Sequence, residues 1–305
     1  MKLVATGGPA GTLPSIRKTF AQPLDLRPWQ ELRLWLRSSR VGDGRATPFY
    51  LAFEAAAASA PNSFTWGRLL PVTRPDVWEL HRLWLADMPA PLRQATAALR
   101  LRSLDATLSF QAAVDELLAV TPQPVQDVEA ALVKRLGKFD LVVNNKTVVV
   151  PALVDFPDAP AARTPPHILL TPWAIDPAVD VAGSGEVIDN YTPQGSYTRP
   201  PSRRLQLDYR IDVYTSERAQ KTSLLDRILV EIGAQSRLAV AGELCDVTPL
   251  ALSPQELVVT PPGRTPLFFR VTAMMETGSR SFQPRAVPFL VTGTAGGPGE
   301  VSALS

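Results

Sequence analysis

Between Arg203 and Ala234 the repeat of the apolar residues changes, and that change constrains the fold more than any other feature of the chain. Leu205, Leu207, Tyr209, Ile211 and Val213 recur at every second position, so all five project from one face of an extended strand. From Leu224 onward the spacing turns helical, through Leu225, Ile228, Leu229 and Ile232. The spacing predicts a helix over 216–233, which is too short to hold itself in water and must bury its apolar stripe against a sheet. Leu225, Ile228, Leu229 and Ile232 are expected to face that sheet, with Arg218, Lys221, Asp226, Arg227 and Glu231 towards the other side. Thr215 or Ser216 offers an N-cap, and Glu217 suits the positive end of the helix dipole.

The 305 residues are long for one domain, and two are expected. Thirty prolines, about twice the ordinary usage of about 5%, fall between apolar runs rather than inside them. Short strands joined by stiff loops follow from that placement. From Phe20 the runs "ELRLWLRS", "TPFYLAFEAA", "NSFTWGRLLPV", "VWELHRLWLADM", "ALRLRSLDATLSF" and "VDELLAV" alternate and are separated by turn signals, the pattern of a β-sandwich. In "ELRLWLRS" Leu32, Leu34 and Leu36 share one face, while Arg33, Trp35 and Arg37 share the other. "VTPQPVQDVE" then reads as a boundary, and Val128, Leu132 and Leu136 mark a helix from about Val125 that ends at Gly137.

Beyond it, "FDLVVNNKTVVVPALV" has a hairpin turn at Asn144–Asn145, "HILLTPWAID" is a strand, and 181–202 is a long polar loop. "VTPLALS", "PLFFRVTAMMETG" and "VPFLVTG" complete a sheet. The expected architecture is an arm over 1–19, an all-β sandwich over 20–121, an α+β domain over 125–293 and a tail over 294–305. The α+β domain is a mostly antiparallel sheet with two main helices on one face.

Charge and chemistry narrow the function classes. Lys plus Arg (31) nearly balances Asp plus Glu (29), which argues against sequence-specific nucleic-acid binding and against a polybasic membrane surface. No apolar run reaches the roughly 18 residues of a membrane helix, and the N-terminal segment lacks the apolar core of an export signal. Cys245 is the single cysteine, so an internal disulfide and a Cys-based zinc site are excluded. His81 and His167 have no carboxylate or Cys at ligand spacing, and the glycine-bearing "GSGE" and "TGTAGGPGE" lack a phosphate-loop lysine. No catalytic residue, metal site or cofactor is expected, and the chain reads as a non-enzyme. Five of the six tryptophans lie in the first half, where they fit either core and interface packing or a sugar-binding platform. Trp35 is the one expected to be exposed.

Two resemblances attach to these residues. "PLDLRPWQELRLWLRS", "VWELHRLWLADMP", "ALRLRS" and the closing "AAVDELLAV", with its Asp115–Leu118 segment, resemble a jelly-roll sandwich of the carbohydrate-binding-module type. That resemblance implies a carbohydrate-binding or adhesin-type module as an alternative function. "VEAALVKRL", "LDYRIDVYTSERAQKTSLLDRILVEI" and "PLFFRVTAMME" follow the element order of the phage tail-terminator fold, shared with cap proteins of contractile injection systems. The second resemblance implies a structural virion component: a homo-oligomeric ring, typically hexameric, that caps the tail tube. Its implied partners are tail tube or sheath protein and a head-completion or connector protein. It implies a place in the tail or neck after assembly in the host cytoplasm. Arg218, Lys221, Arg227 and Glu231 then become candidates for the contact between neighbouring subunits.

Overall fold

The computed structural model describes residues 2–5, 13–42, 49–105, 109–143, 145–154, 164–177, 186–233, 236–251, 266–276 and 279–284. The first half is a β-sandwich, as the alternation predicts. One sheet has the order β1 (Lys2–Ala5), β8 (Phe110–Val120), β3 (Glu31–Ser38), β6 (Trp78–Trp84). The other contains β5 (Phe64–Leu70), β4 (Leu51–Ala57), β7 (Thr96–Ser103) and β2 (Ser15–Leu24) in that order. Leu32, Leu34 and Leu36 of β3 lie in one core with Leu51, Phe53, Ala55, Leu99 and Leu101 of the facing sheet. The short helix α1 (Ala90–Gln94), entered through Pro89 and Pro91, drops Leu92 into that core between β6 and β7.

The "VDELLAV" ending has a local cause. Where β8 pairs with β3 the register slips, so that Asp115 faces Trp35 and Leu118 faces Arg33. The extra residue puts Glu116 at φ 46°, and the Asp115 carboxylate accepts the Glu116 N–H at 2.9 Å. The Asp is the side chain that supports a β-bulge. The expected arm over 1–19 is corrected: β1 pairs with β8, and β2 begins at Ser15 against β7. The Gly/Pro-rich composition hid a strand whose Leu3 is buried in the sandwich.

The second half carries α2 (Pro124–Leu136) and α3 (Arg218–Glu231) on one face of a six-stranded sheet. The sheet order is β11 (Ala152–Val154), β12 (His167–Pro177), β15 (Arg203–Tyr214), β18 (Leu267–Met275), β17 (Glu243–Leu250), β16 (Ser236–Val240). All pairs are antiparallel except β11 with β12. Leu205, Leu207, Tyr209, Ile211 and Val213 of β15 share one core with Val128, Leu132 and Leu136 of α2, Leu224 and Ile228 of α3, and Ile232 at its C-cap. Gly137 closes α2, donating its N–H to Val133 O, at φ −76° rather than in the left-handed region. A Cβ there would stand 2.8 Å from that same carbonyl oxygen, so close approach is what asks for glycine.

Helix α3 is displaced from the expected stripe. Gln220, Leu224, Ile228 and Ile232 are buried and Leu225 is partly so, but Leu229 is 44% exposed. The buried set steps by four, so the sheet-facing line runs one residue to the side of the expected one. The expected cap is also absent: Glu217 is the N-cap without a side-chain bond, and Thr215 Oγ1 instead donates to Glu217 O at 2.9 Å. Asn145 takes φ 60° in the hairpin of β9 (Asp140–Val143) and β10 (Lys146–Val149), as the turn required. Asn144, the "VPFLVTG" segment and the tail over 294–305 lie outside the described residues.

The expected polar loop at 181–202 is corrected from 187 onward. β13 (Val187–Thr192) and β14 (Gly195–Arg199) form a hairpin, and β13 joins β5 of the sandwich at Tyr191–Leu69. β19 (Ser281–Pro284) adds to β14, so the second sandwich sheet runs β19-β14-β13-β5-β4-β7-β2. Residues far apart in the chain thus share one sheet, and the ranges 20–121 and 125–293 interpenetrate. Cleaving the chain at an engineered site between Val120 and Pro124 is therefore expected to leave two fragments that elute together in size-exclusion chromatography without denaturant. Separate elution of two folded pieces would show that the shared sheet does not hold the halves.

Candidate functional site

Hydrogen bonds and ion pairs link the β16–β17 turn and the residues between β18 and β19 to the sandwich. The turn between β16 and β17 puts Ala241 at φ 46° and Gly242 at φ 83°, the two positive values that a tight hairpin turn needs. That turn seats against the outward face of β3. Arg33 donates to Ala241 O and Trp35 Nε1 to Gly242 O, both at 2.9 Å. A Cβ on Gly242 would come within 3.1 Å of Leu118 Cδ1. Trp35 is therefore half-buried and bonded inside the molecule, which corrects the expectation that it is exposed.

From there a chain of alternating charges crosses the joint. Buried Glu31 pairs with Arg33 at 2.5 Å, Arg33 with Glu243 at 2.7 Å, and Glu243 with Arg82 at 2.7 Å. Arg82 reaches Glu276 at 3.1 Å, which also binds Arg280 at 2.7 Å. Arg280 and Arg199 both hold Asp189, at 2.8 and 2.9 Å. The members come from β3, β6, β13, β14, the start of β17 and the residues between β18 and β19. Burial pushes the Glu31 carboxyl above its usual range, against the pull of Arg33. Apart from Glu31–Arg33 and Glu276–Arg280, the partners are far apart in sequence, and the Ala241–Gly242 turn is a local signal that a reader of the chain could have used.

Beside the joint lies an open cleft of about 1060 Å³ whose walls include Phe49, Phe64, Trp66, Tyr191, Tyr197 and Phe282. Arg68, 2% exposed, is its hub. Its guanidinium pairs with Asp87, donates to Trp84 O at 2.8 Å and Asn190 Oδ1 at 3.2 Å, and stacks 4.5 Å from the Trp66 ring centroid. Trp66 Nε1 and the Tyr197 hydroxyl both donate to Asp87, at 3.2 and 2.8 Å. Burial first, then the Asp87 carboxylate, push the Tyr197 phenol up to about 12. Arg100 covers Phe64 at 3.8 Å. One face each of Trp66, Tyr197 and Phe64 thus carries a guanidinium group of the protein itself. The more exposed tryptophans, Trp29, Trp78 and Trp173, stand on the 25–30 turn, β6 and β12.

His81 lines β6 with its Nε2 buried and unbonded among the described residues, and burial lowers it to about 4, so it is neutral at pH 7. His167 stacks on Tyr214 with ring centroids 4.6 Å apart. Burial pushes the Cys245 thiol up to about 12, which removes the thiolate that reactivity needs. Among the described residues no group of three or more His, Cys, Asp or Glu is placed to hold a metal ion.

The four α3 candidates differ in their surroundings. Arg218 is exposed at the first turn, and Lys221 is half-buried. Arg227 pairs with Asp140 at 3.1 Å and lies over the Phe139 ring. Glu231 binds Lys138 at 2.6 Å and Arg135 at 3.2 Å, and the hydrogen bond from Lys138 holds its carboxyl below the usual range. Arg227 and Glu231 therefore pin α3 to α2 and β9 within the subunit.

No protein-family model matches the chain, and no curated protein matches it. Among solved structures, it is similar to the sheath/tube terminator of the PVC extracellular contractile injection system in its extended state. The similarity has 16% identity and a TM-score of 0.39, over 61% of this chain and 67% of the terminator. At that TM-score the likeness is loose, and the fold described above stands on its own strand pairing.

Proposed function

We propose that the chain is a structural subunit of the tail-terminator type, which assembles into a ring on the end of a tail tube and carries the β-sandwich as a fixed appendage. The observation that supports this reading is the element order from α2 to β18, with two helices packed on one face of a six-stranded sheet. The charged joint supports a structural role as well, because it sets one orientation of the sandwich relative to the sheet and its helices. On this reading the partners are other copies of the chain, tube or sheath protein, and a head-completion or connector protein. The working place is the tail or neck of a virion or injection particle, reached from the host cytoplasm.

Mass photometry of the purified full-length chain is expected to show a discrete closed oligomer, six subunits on the terminator reading, and negative-stain images to show rings. Addition of tube protein should place those rings at tube ends. A monomer at every concentration, with no decoration of tubes, would overturn the proposal.

A further inference from the structure

On the face of the seven-stranded sheet that looks away from the sandwich core, the register lines up like charges. Arg17 of β2 stands directly opposite Arg100 of β7, and Arg100 stands opposite Glu54 of β4. All three point outward, because the alternate positions Ile16, Leu99, Leu101, Phe53 and Ala55 pack into the core. Like charges set directly opposite one another destabilise a strand pair. Arg102, two residues along β7, adds a third guanidinium, and among the described residues Glu54 is the carboxylate that the cluster shares. It takes Arg100 at 2.6 Å and Arg102 at 2.8 Å, while Arg17 bonds to neutral groups. Three guanidinium groups against one carboxylate leave an excess of two positive charges.

The guanidinium groups are held in place before any ligand arrives. Arg17 donates from Nη1 to Asn62 Oδ1 and from Nη2 to Pro61 O, both at 2.7 Å. Arg100 lies 3.8 Å from the centroid of the Phe64 ring, and Arg17 lies 5.6 Å from the same centroid. Arg17 Nε, Arg100 Nη1 and Arg102 Nη1 remain as donors with no acceptor among the described residues. Donors from three separate guanidinium groups suit a tetrahedral oxyanion, whose oxygens point in different directions; a planar carboxylate is saturated by one fork. The charge excess matches a phosphate monoester, which carries about −1.5 to −2 at pH 7.

The cluster also opens on a cavity. Glu54, Phe64 and Arg102 line the cleft of about 1060 Å³. The row of opposed residues that starts at Arg102 runs through Ala52 and Leu69 to Tyr191, so Tyr191 shares their face. Phe49 packs on it with ring centroids 4.6 Å apart. We propose that Arg17, Arg100 and Arg102 bind the phosphate group of a soluble phosphate monoester, and that the cleft takes its organic part against Tyr191 and Phe49. This site does not depend on the ring reading.

Isothermal titration calorimetry of the full-length chain tests it, with phenyl phosphate and inorganic phosphate as probes. Both are expected to bind saturably, phenyl phosphate the tighter. Arg17→Gln and Arg100→Gln should each weaken both by about tenfold, the worth of one charge-assisted hydrogen bond. Tyr191→Ala should weaken phenyl phosphate alone. Arg237→Gln, an exposed arginine of β16, should change neither, and matching thermal melts show that each variant is folded. No saturable binding of phenyl phosphate, or equal losses from Arg17→Gln and Arg237→Gln, would overturn the site. Unchanged binding of phenyl phosphate by Tyr191→Ala would overturn the part given to the cleft. Sedimentation with vesicles of phosphatidylcholine containing phosphatidic acid decides the source: co-pelleting of the parent that Arg17→Gln abolishes would assign the phosphate to a lipid headgroup and overturn the soluble ester.

Discussion

Replacing Arg33 by Met is expected to destabilise the protein by about 3–5 kcal/mol, the cost of leaving a buried charge without its partner. Arg33 is 5% exposed and Glu31 2%, and Arg33 also holds Glu243 and the Ala241 carbonyl. Met fills most of the volume but removes every one of those bonds. The sign of the pH dependence follows from Glu31, whose folded pKa already lies above the ordinary carboxylate value. A raised carboxyl binds its proton more tightly in the folded state, so it lowers stability as pH rises from the unfolded pKa through the folded one. Without Arg33 the folded pKa is raised further, so the loss extends to higher pH, and the penalty of Arg33→Met should shrink on acidification through that wider window. Adding Glu31→Gln to Arg33→Met removes the stranded charge and should recover part of the loss at pH 7. Denaturant melts of the parent, both single variants and the double variant supply the cycle. Equal penalties at pH 4 and pH 7, with no recovery in the double variant, would mean that the Glu31 charge is not what the arginine compensates.

How much of this was legible in the chain depends on the range of the interactions. Period and turn chemistry act over a few residues, and they located β3, β15, α2, the Asn145 turn and the two-part class of the fold. The sandwich core was readable because Leu32, Leu34 and Leu36 alternate with polar residues. The opposite face of β3 was misread for the same reason: alternation says that Arg33, Trp35 and Arg37 share a face, but not that Gly242 caps it. The hairpin over 187–199 was missed because its strands are polar and short, and its place is fixed by β5 and by Arg68–Asn190, not by an apolar stripe of its own. Of the candidate residues on α3, helical geometry placed Arg227 and Glu231 off the core line correctly. It could not show that Asp140, Lys138 and Arg135 already engage them.

Helix α3 carries two neighbouring aliphatic residues of opposite burial. Ile228 is fully buried in the core with Leu205, Leu207 and Ile211, whereas its neighbour Leu229 is 44% exposed. Both are large aliphatic residues and both belonged to the expected stripe, so the pair measures which line of α3 faces the sheet. Ile228→Ala removes three methyl(ene) carbons from a closed core, loses their transfer energy and leaves a cavity, and should cost about 2–5 kcal/mol. Leu229→Ala removes a side chain that is largely in water and should change stability by no more than about 0.5 kcal/mol. Ala also has the higher helix propensity in both cases, which offsets a few tenths of a kcal/mol and leaves the ordering unchanged. Chemical denaturation of the two variants, with the slope of the transition compared to confirm a common unfolded state, reads the difference directly. Comparable losses at the two positions would mean that α3 is enclosed on both sides in solution, with a neighbouring subunit covering Leu229 and Val230. A large loss at Leu229 alone would rotate the helix back to the line that its sequence first suggested and overturn the packing described for it.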